Sequence, residues 1–143
     1  MNIEFKKFTK EQRSTFTYWF WHWLAFNYVA LELNAWKFKY LFHDIEKPWL
    51  KLFWGDYNKV QQWHRHNNRH HIEYSNTGCW DVEAMIIDWE CSGLTKVDAK
   101  LNAREEYERL LSEVTEQNKH TYRSYLITRL QPKLLSTLEK FNL

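Results

Sequence analysis

The sequence predicts an all-α protein, a compact single-domain helical bundle, on three observations. Only three glycines and two prolines occur in 143 residues, which leaves few of the turn residues that hairpins need. Apolar residues recur at three- and four-residue spacing through most of the chain, the period of an amphipathic helix rather than the alternation of a strand. Nine Trp, eight Tyr and nine Phe supply core volume that Val and Ile would normally provide. A chain of this length can bury one sizeable core. No internal repeat, low-complexity run or linker suggests a second domain, so residues 1–143 are expected to form one.

The first helix is expected from about Thr9 to Leu33. Its stretch FTYWFWHWLAFNYVALEL is broken by His22, Asn27 and Glu32, short of the about 18 uninterrupted apolar residues of a membrane span. It reads as a core helix. A second is expected from about Ala35 through His43, after a reversal near Asn34. Pro48 opens the next segment, and a third element leads into a group of histidines. Asp81, read as a helix N-terminal charge, begins a helix over DVEAMIIDWE that stops at Ser92 and Gly93. In TKVD, Thr95 and Asp98 have the spacing of a capping box, which would open a charged helix to about Val114. The last helical stretch covers Thr121 to Phe141, interrupted at Pro132.

Charge bounds the function. The formal net charge is +2, with 27% charged and 44% hydrophobic residues. That is a globular composition and not a molecule-wide footprint for nucleic acid, although Lys and Arg interleaved with Trp keep nucleic-acid binding as a minor reading. Cys79 and Cys91 form no CxxC motif and are expected as two buried thiols rather than a disulfide. The first residues lack the layout of a secretory signal. The expected location is the cytoplasm.

Four of the seven histidines, His64, His66, His70 and His71, fall within VQQWHRHNNRHHIEY. Protonated imidazoles at that density repel one another, so either a metal gathers them or the segment is a polar surface turn. His66 and His70 stand at i, i+4, which aims two imidazoles at one ion from a helix. His64 and His71, two turns apart, would share a second direction if the helix continues past Asn67 and Asn68. In LFHDIEKP, His43 and Asp44 offer a nitrogen and an oxygen ligand from adjacent positions. One continuous helix would hold His22 about 30 Å from His43; a reversal near Asn34 would bring them nearly level. Asp88 lies on the apolar face of AMIIDWE, where a carboxylate is costly unless a cation or a donor meets it.

The order His22, His43-Asp44, histidines, Asp88 resembles that of the HD superfamily of metal-dependent phosphohydrolases. HDIEKP looks like its HD-x-x-K motif, with Lys47 as the lysine, and HHIEY is similar to the HHE stretch of its binuclear cyclic-dinucleotide phosphodiesterases. The chain resembles more closely a family of small uncharacterised phage and bacterial proteins with an HD-like core. That pattern falls on His22, His43, Asp44, Lys47, His64, His66, Asn68, His70, His71, Met85, Asp88 and Trp89, within roughly residues 15 to 130. Two positions depart from it: Glu46 stands where relatives usually carry a small residue, and Ala84 where the closer family often has Glu, with Glu83 adjacent.

The resemblance implies an HD-domain-like fold and a metal site. Its candidate ligands are His22, His43, Asp44, His64, His66, His70, His71 and Asp88, holding one or two divalent transition-metal ions (Mn, Fe, Co, Ni or Zn). The expected activity is hydrolysis of a nucleotide or another phosphate ester by metal-activated water. Asp44 and Lys47 would serve catalysis, the lysine by neutralising phosphoryl charge. Glu73 would orient a ligating histidine, and Arg65 or Arg69 would dock the substrate phosphate. The alternative is a metal-stabilised, non-enzymatic phage or bacterial protein that binds and inhibits a host protein.

Overall fold

The structure, a computed structural model, describes residues 3–76, 78–99 and 102–143. Among these residues it is helical, with α1 (Phe16–Glu32), α2 (Glu46–Trp54), α3 (Tyr57–Asn67), α4 (Val82–Thr95), α5 (Ala103–Ser112) and α6 (Tyr122–Phe141). Two 3₁₀ segments, Glu11–Ser14 and Phe38–Phe42, accompany them. Extended pairing among the described residues is a single isolated parallel bridge, Phe8 to Lys96. The expected all-α class holds. No helix of the described residues is long and apolar enough to cross a membrane.

Capping explains most boundaries. The side chains of Thr15, Asp56, Asp81, Asn102 and Thr121 each accept a backbone N–H from the first turn of α1, α3, α4, α5 and α6. These short polar acceptors satisfy donors that a helix start leaves free. The capping Thr15 starts α1 at Phe16, later than the expected Thr9, and the residues before it form a 3₁₀ turn. Asp81, expected as a charge at the start of this helix, is there and also caps it, accepting the backbone N–H of Ala84. The capping box at TKVD does not form: Thr95 is the last residue of α4, which runs through Gly93, and Asn102 caps the charged helix instead. Lys100 and Leu101, inside the expected helix, lie outside the described residues. Pro132 does not interrupt α6. It sits on the exposed face, as does Thr128, whose carbonyl it leaves without a helical partner, while Leu130, Leu134 and Leu138 anchor the helix on either side.

The reversal near Asn34 is present, with Asn34 itself in the left-handed region at φ 51°. The following segment is not the expected Ala35–His43 α-helix. Donors from α1 take its carbonyls: Trp23 Nε1 donates to Leu41 O at 3.0 Å and Asn27 Nδ2 to Tyr40 O at 3.2 Å. Asn27 in turn accepts from Trp36 Nε1 at 2.9 Å. These bonds pin residues 36–43 along α1 as a 3₁₀ turn.

α1 and α4 run antiparallel. Phe8, just before α1, bonds to residues 95 and 97 at the end of α4, His22 meets Asp88 in its middle, and Lys37, beyond α1, pairs with Glu83 at its start. Phe26, Ala30, Met85 and Ile87 fill this core, and α6 closes it with Leu130, Leu134 and Leu138. Of the two free cysteines, Cys91 is buried as expected. Cys79 is exposed, because it lies in the loop before α4 rather than on a packed face.

Phe26 joins core to site, stacking on the His43 ring at a centroid distance of 3.6 Å and an interplanar angle of 14°. Phe26→Ala should therefore cost about 3–5 kcal/mol by removing a fully buried ring. Urea denaturation followed by far-ultraviolet circular dichroism would read this, and a loss below about 1 kcal/mol would contradict the packing.

Candidate metal centre

Four chain segments bring their polar side chains to one buried point. α1 supplies His22, the turn after the second 3₁₀ segment supplies His43 and Asp44, α3 and the loop after it supply His64, His70 and His71, and α4 supplies Asp88. Asp44 holds φ at 58°, the left-handed region that Asp tolerates better than most residues and that recurs at functional sites. The loop is fixed by backbone bonds, His71 N–H to Asn68 O at 3.2 Å and Asp81 N–H to Arg69 O at 2.8 Å.

Asp44 is the centre. Its Oδ1 lies 3.2 Å from His64 Nε2, 3.4 Å from His70 Nε2 and 3.6 Å from His43 Nε2. Its Oδ2 lies 3.6 Å from His22 Nε2 and 2.5 Å from Lys47 Nζ. On the far side His22 Nε2 meets Asp88 Oδ1 at 3.0 Å. The side chain of Asp44 is 1% exposed.

These contacts gather lone pairs without satisfying them. Asp44 Oδ1 and the Nε2 atoms of His43, His64, His70 and His71 are buried without a hydrogen-bond partner. Each such group costs on the order of 1–3 kcal/mol when stranded, so five at one point are unstable unless a cation meets them. Several groups of three have ligand atoms within 4.8 Å of one another, among them His22–His43–Asp44 and His64–His70–His71. Buried imidazole and carboxylate groups with this spacing fit a metal ion.

The electrostatics suit one. Burial pushes His43 down to about 4 and lowers His64 and His71 as well, so these rings stay uncharged near neutral pH, each keeping one nitrogen lone pair, as metal ligation requires. Burial opposes ionisation of Asp44, but His43, Lys47 and His64 outweigh it and hold its carboxyl well below the usual range. Asp88 follows the same pattern, with His22 Nε2 at 3.0 Å and His43 Nε2 at 3.8 Å outweighing burial. For Lys47, burial is outweighed by Asp44, which raises its pKa and keeps it cationic.

The structure rearranges several expected roles. His66 does not reach the centre: it is exposed, and its Nδ1 pairs with Glu73 O at 3.2 Å. The helix ends at Asn67, so the i, i+4 geometry with His70 never forms. His64 and His71 do converge, with rings 4.7 Å apart, but through the loop rather than along one helix. The Glu73 carboxylate touches none of the histidines around Asp44 and faces Arg123 and Arg65. Glu46 orients one instead, accepting the Nδ1 proton of His64 and leaving Nε2 aimed at Asp44. Asn68 Nδ2 steadies the same Glu46 oxygen at 2.9 Å. Arg69 turns away and donates to Cys79 O at 2.5 Å, whereas Arg65 lines a cavity that also reaches His70, His71 and Asp88. Neither Ala84 nor Glu83 supplies a carboxylate, since Ala84 is in the core and Glu83 pairs with Lys37 and Lys140.

Sequence reasoning also missed Cys91, whose Sγ lies 4.0 Å from His22 Nδ1 and completes a potential group with His22 and Asp88. Burial raises its thiol pKa well above the usual value. The signal available was its position three residues after Asp88, on the same helix face.

Two cavities flank the centre. A polar basin of about 660 Å³ reaches His70, His71 and Asp88 and is edged by Arg65, Lys96 and Arg123. A smaller pocket of about 320 Å³, largely aromatic, lies against Asp44, Lys47 and His22. Compared with known protein families, with curated proteins and with solved structures, the chain matches none.

Two outcomes check this geometry. Glu46→Gln should weaken metal binding about 10- to 100-fold, measured by competition with a chelating dye; unchanged affinity would remove Glu46 from the site. The second concerns acid. An unfolded imidazole takes up its proton near 6.5, whereas folded His43 does so at about 4. The unfolded chain therefore binds more protons between these values, and the chelator-treated protein should lose stability as pH falls through that window. Asp44 and Asp88 extend the loss to lower pH. A thermal midpoint unchanged between pH 7 and 4.5 would contradict it.

Proposed function

We propose that the chain is a metal-dependent phosphohydrolase acting on a nucleotide or another phosphate ester, as its resemblance to the HD superfamily implies. The observation that carries the reading is the group of buried, unpartnered nitrogens around Asp44 Oδ1, beside a cationic lysine and a polar basin. His22, His43, Asp44 and Asp88 would hold one divalent ion. His64, His70 and His71, with Asp44 shared, would hold a second. A donor set of imidazole and carboxylate suits Mn, Fe, Co, Ni or Zn.

Such ions, when bound, neutralise phosphoryl charge and make hydroxide available near neutral pH. Water oxygen bonds to phosphorus as the ester P–O bond breaks; one water proton leaves with the alcohol and the other stays on the phosphate. Lys47, which lines both cavities with a side chain 15% exposed, would balance charge that grows on the phosphoryl oxygens. Arg65 lines the basin with its side chain 59% exposed, free to turn onto an entering phosphate.

A second reading has one observation in its favour. Phe38, Leu52 and Phe53 are each more than two-thirds exposed, and large apolar side chains left in water are of the kind that dock another protein. The metal would then only staple the fold.

With Mn²⁺ added, a panel of nucleotides, cyclic dinucleotides and simple phosphate esters should include hydrolysed members. His43→Ala and Asp88→Ala should lose bound metal by elemental analysis, while His120→Ala, in an exposed loop, keeps it. Lys47→Met should retain metal and lower kcat about 10²- to 10³-fold. Metal-loaded protein that leaves the whole panel untouched yet captures a protein partner tightly would favour the second reading.

A further inference from the structure

The apolar pocket is not needed to hold a metal or a phosphate, yet it lies directly against the centre. Its walls include Phe16, Trp19, Pro48, Trp49 and Leu52, and its polar border includes Arg13 and Tyr57 together with His22, Asp44 and Lys47. Five residues, Arg13, Tyr18, His22, Lys47 and Tyr57, border both this pocket and the polar basin. The two cavities therefore meet at the centre, one rich in charge and one walled by carbon. A volume of about 320 Å³ is within the range of small-molecule sites.

Three wall residues are also costly as they stand. Phe16 is 65% exposed, Trp49 60% and Leu52 72%. Large apolar side chains from two separate helices, turned toward one opening, gain most by covering carbon. A nucleobase would bring ring N–H and carbonyl groups to a lining whose exposed surface is mostly carbon, where few of them would find a partner, and each stranded group would weaken binding. A hydrocarbon chain or unsubstituted ring carries no such groups.

We propose that the aromatic pocket between the start of α1 and α2 holds the alcohol half of the substrate, so that the preferred phosphate esters carry a bulky apolar alcohol rather than a nucleoside. This rests on the phosphohydrolase reading and narrows its substrate class. The phosphate lies at Lys47 on the basin side, and the apolar group extends past His22 between Trp19 and Trp49.

Octyl phosphate and ethyl phosphate test the assignment, because their alcohols leave with similar ease and differ in apolar length. Calorimetric titration of the full chain reads binding without turnover. Octyl phosphate should bind at least tenfold more tightly than ethyl phosphate. Leu52→Gln and Trp49→Ala should each weaken octyl binding at least fivefold, leave ethyl binding unchanged, and keep the helical dichroism. Equal affinity for the two esters, or full octyl affinity in both variants, would overturn the inference. With Mn²⁺, kcat/KM should favour octyl phosphate at least tenfold; equal turnover would overturn the inference and leave the phosphohydrolase reading standing. Tight octyl binding that the variants weaken, with no turnover of any ester, would instead overturn that reading and keep the pocket as a site for an apolar chain.

Discussion

A single carboxylate, that of Asp44, governs the interior of this protein. It is almost wholly buried, and four imidazoles and an ammonium surround it within 3.6 Å. A buried carboxylate survives only where opposite charge or donors meet it; here Lys47 meets one oxygen, the other has no hydrogen-bond partner, and imidazoles approach from three segments. His22 arrives from α1, Lys47 from the first turn of α2, and His64 and His70 from α3 and its loop. The left-handed backbone at Asp44 follows from the same demand, since it marks the turn that ends the 3₁₀ segment and opens α2 with the carboxylate facing inward.

The framework that holds this point is asymmetric. Phe26 stacks against His43 on the core side, so that ring is clamped between apolar packing and the carboxylates. His64 is held from behind by Glu46, which fixes its tautomer and aims its free nitrogen inward. His70 and His71 rest on a loop, whose position depends on backbone bonds to the end of α3 and the start of α4. α5 and α6 contribute no group around Asp44; they complete the hydrophobic core and place Arg109 and Arg123 along the basin.

An ion at this point would cross-link segments that lie far apart in the chain, from residue 22 to residue 88. Metal binding and folding would then share their free energy, since the stranded nitrogens destabilise the metal-free fold that the ion would stabilise. The apolar residues that the fold leaves in water belong mostly to α1, the following 3₁₀ segment and α2. α2 buries none of its residues fully. It acts as a partial lining beside the centre rather than as a core helix, which is why its aromatics remain available to a ligand or a partner.

The sequence alone determined the helical class, because turn residues are scarce and the apolar period is helical throughout. It also marked the reversal at Asn34, the helix start at Asp81 and the company of His22, His43, Asp44 and Asp88, since a polar residue on an apolar face signals a partner by its cost. Tertiary structure decided what local pattern could not. Side-chain donors from α1 took the carbonyls of residues 40 and 41 and turned an expected helix into a 3₁₀ segment. Packing on both sides of Pro132 carried α6 through a residue that locally disfavours it. The end of α3 at Asn67 sent His66 to solvent while the loop returned His70 and His71, so the spacing of four histidines could not reveal which three would meet. Glu46 took the orienting role expected of Glu73, because contact with His64 depends on how α2 lies across α3, a long-range distance that no sequence interval encodes.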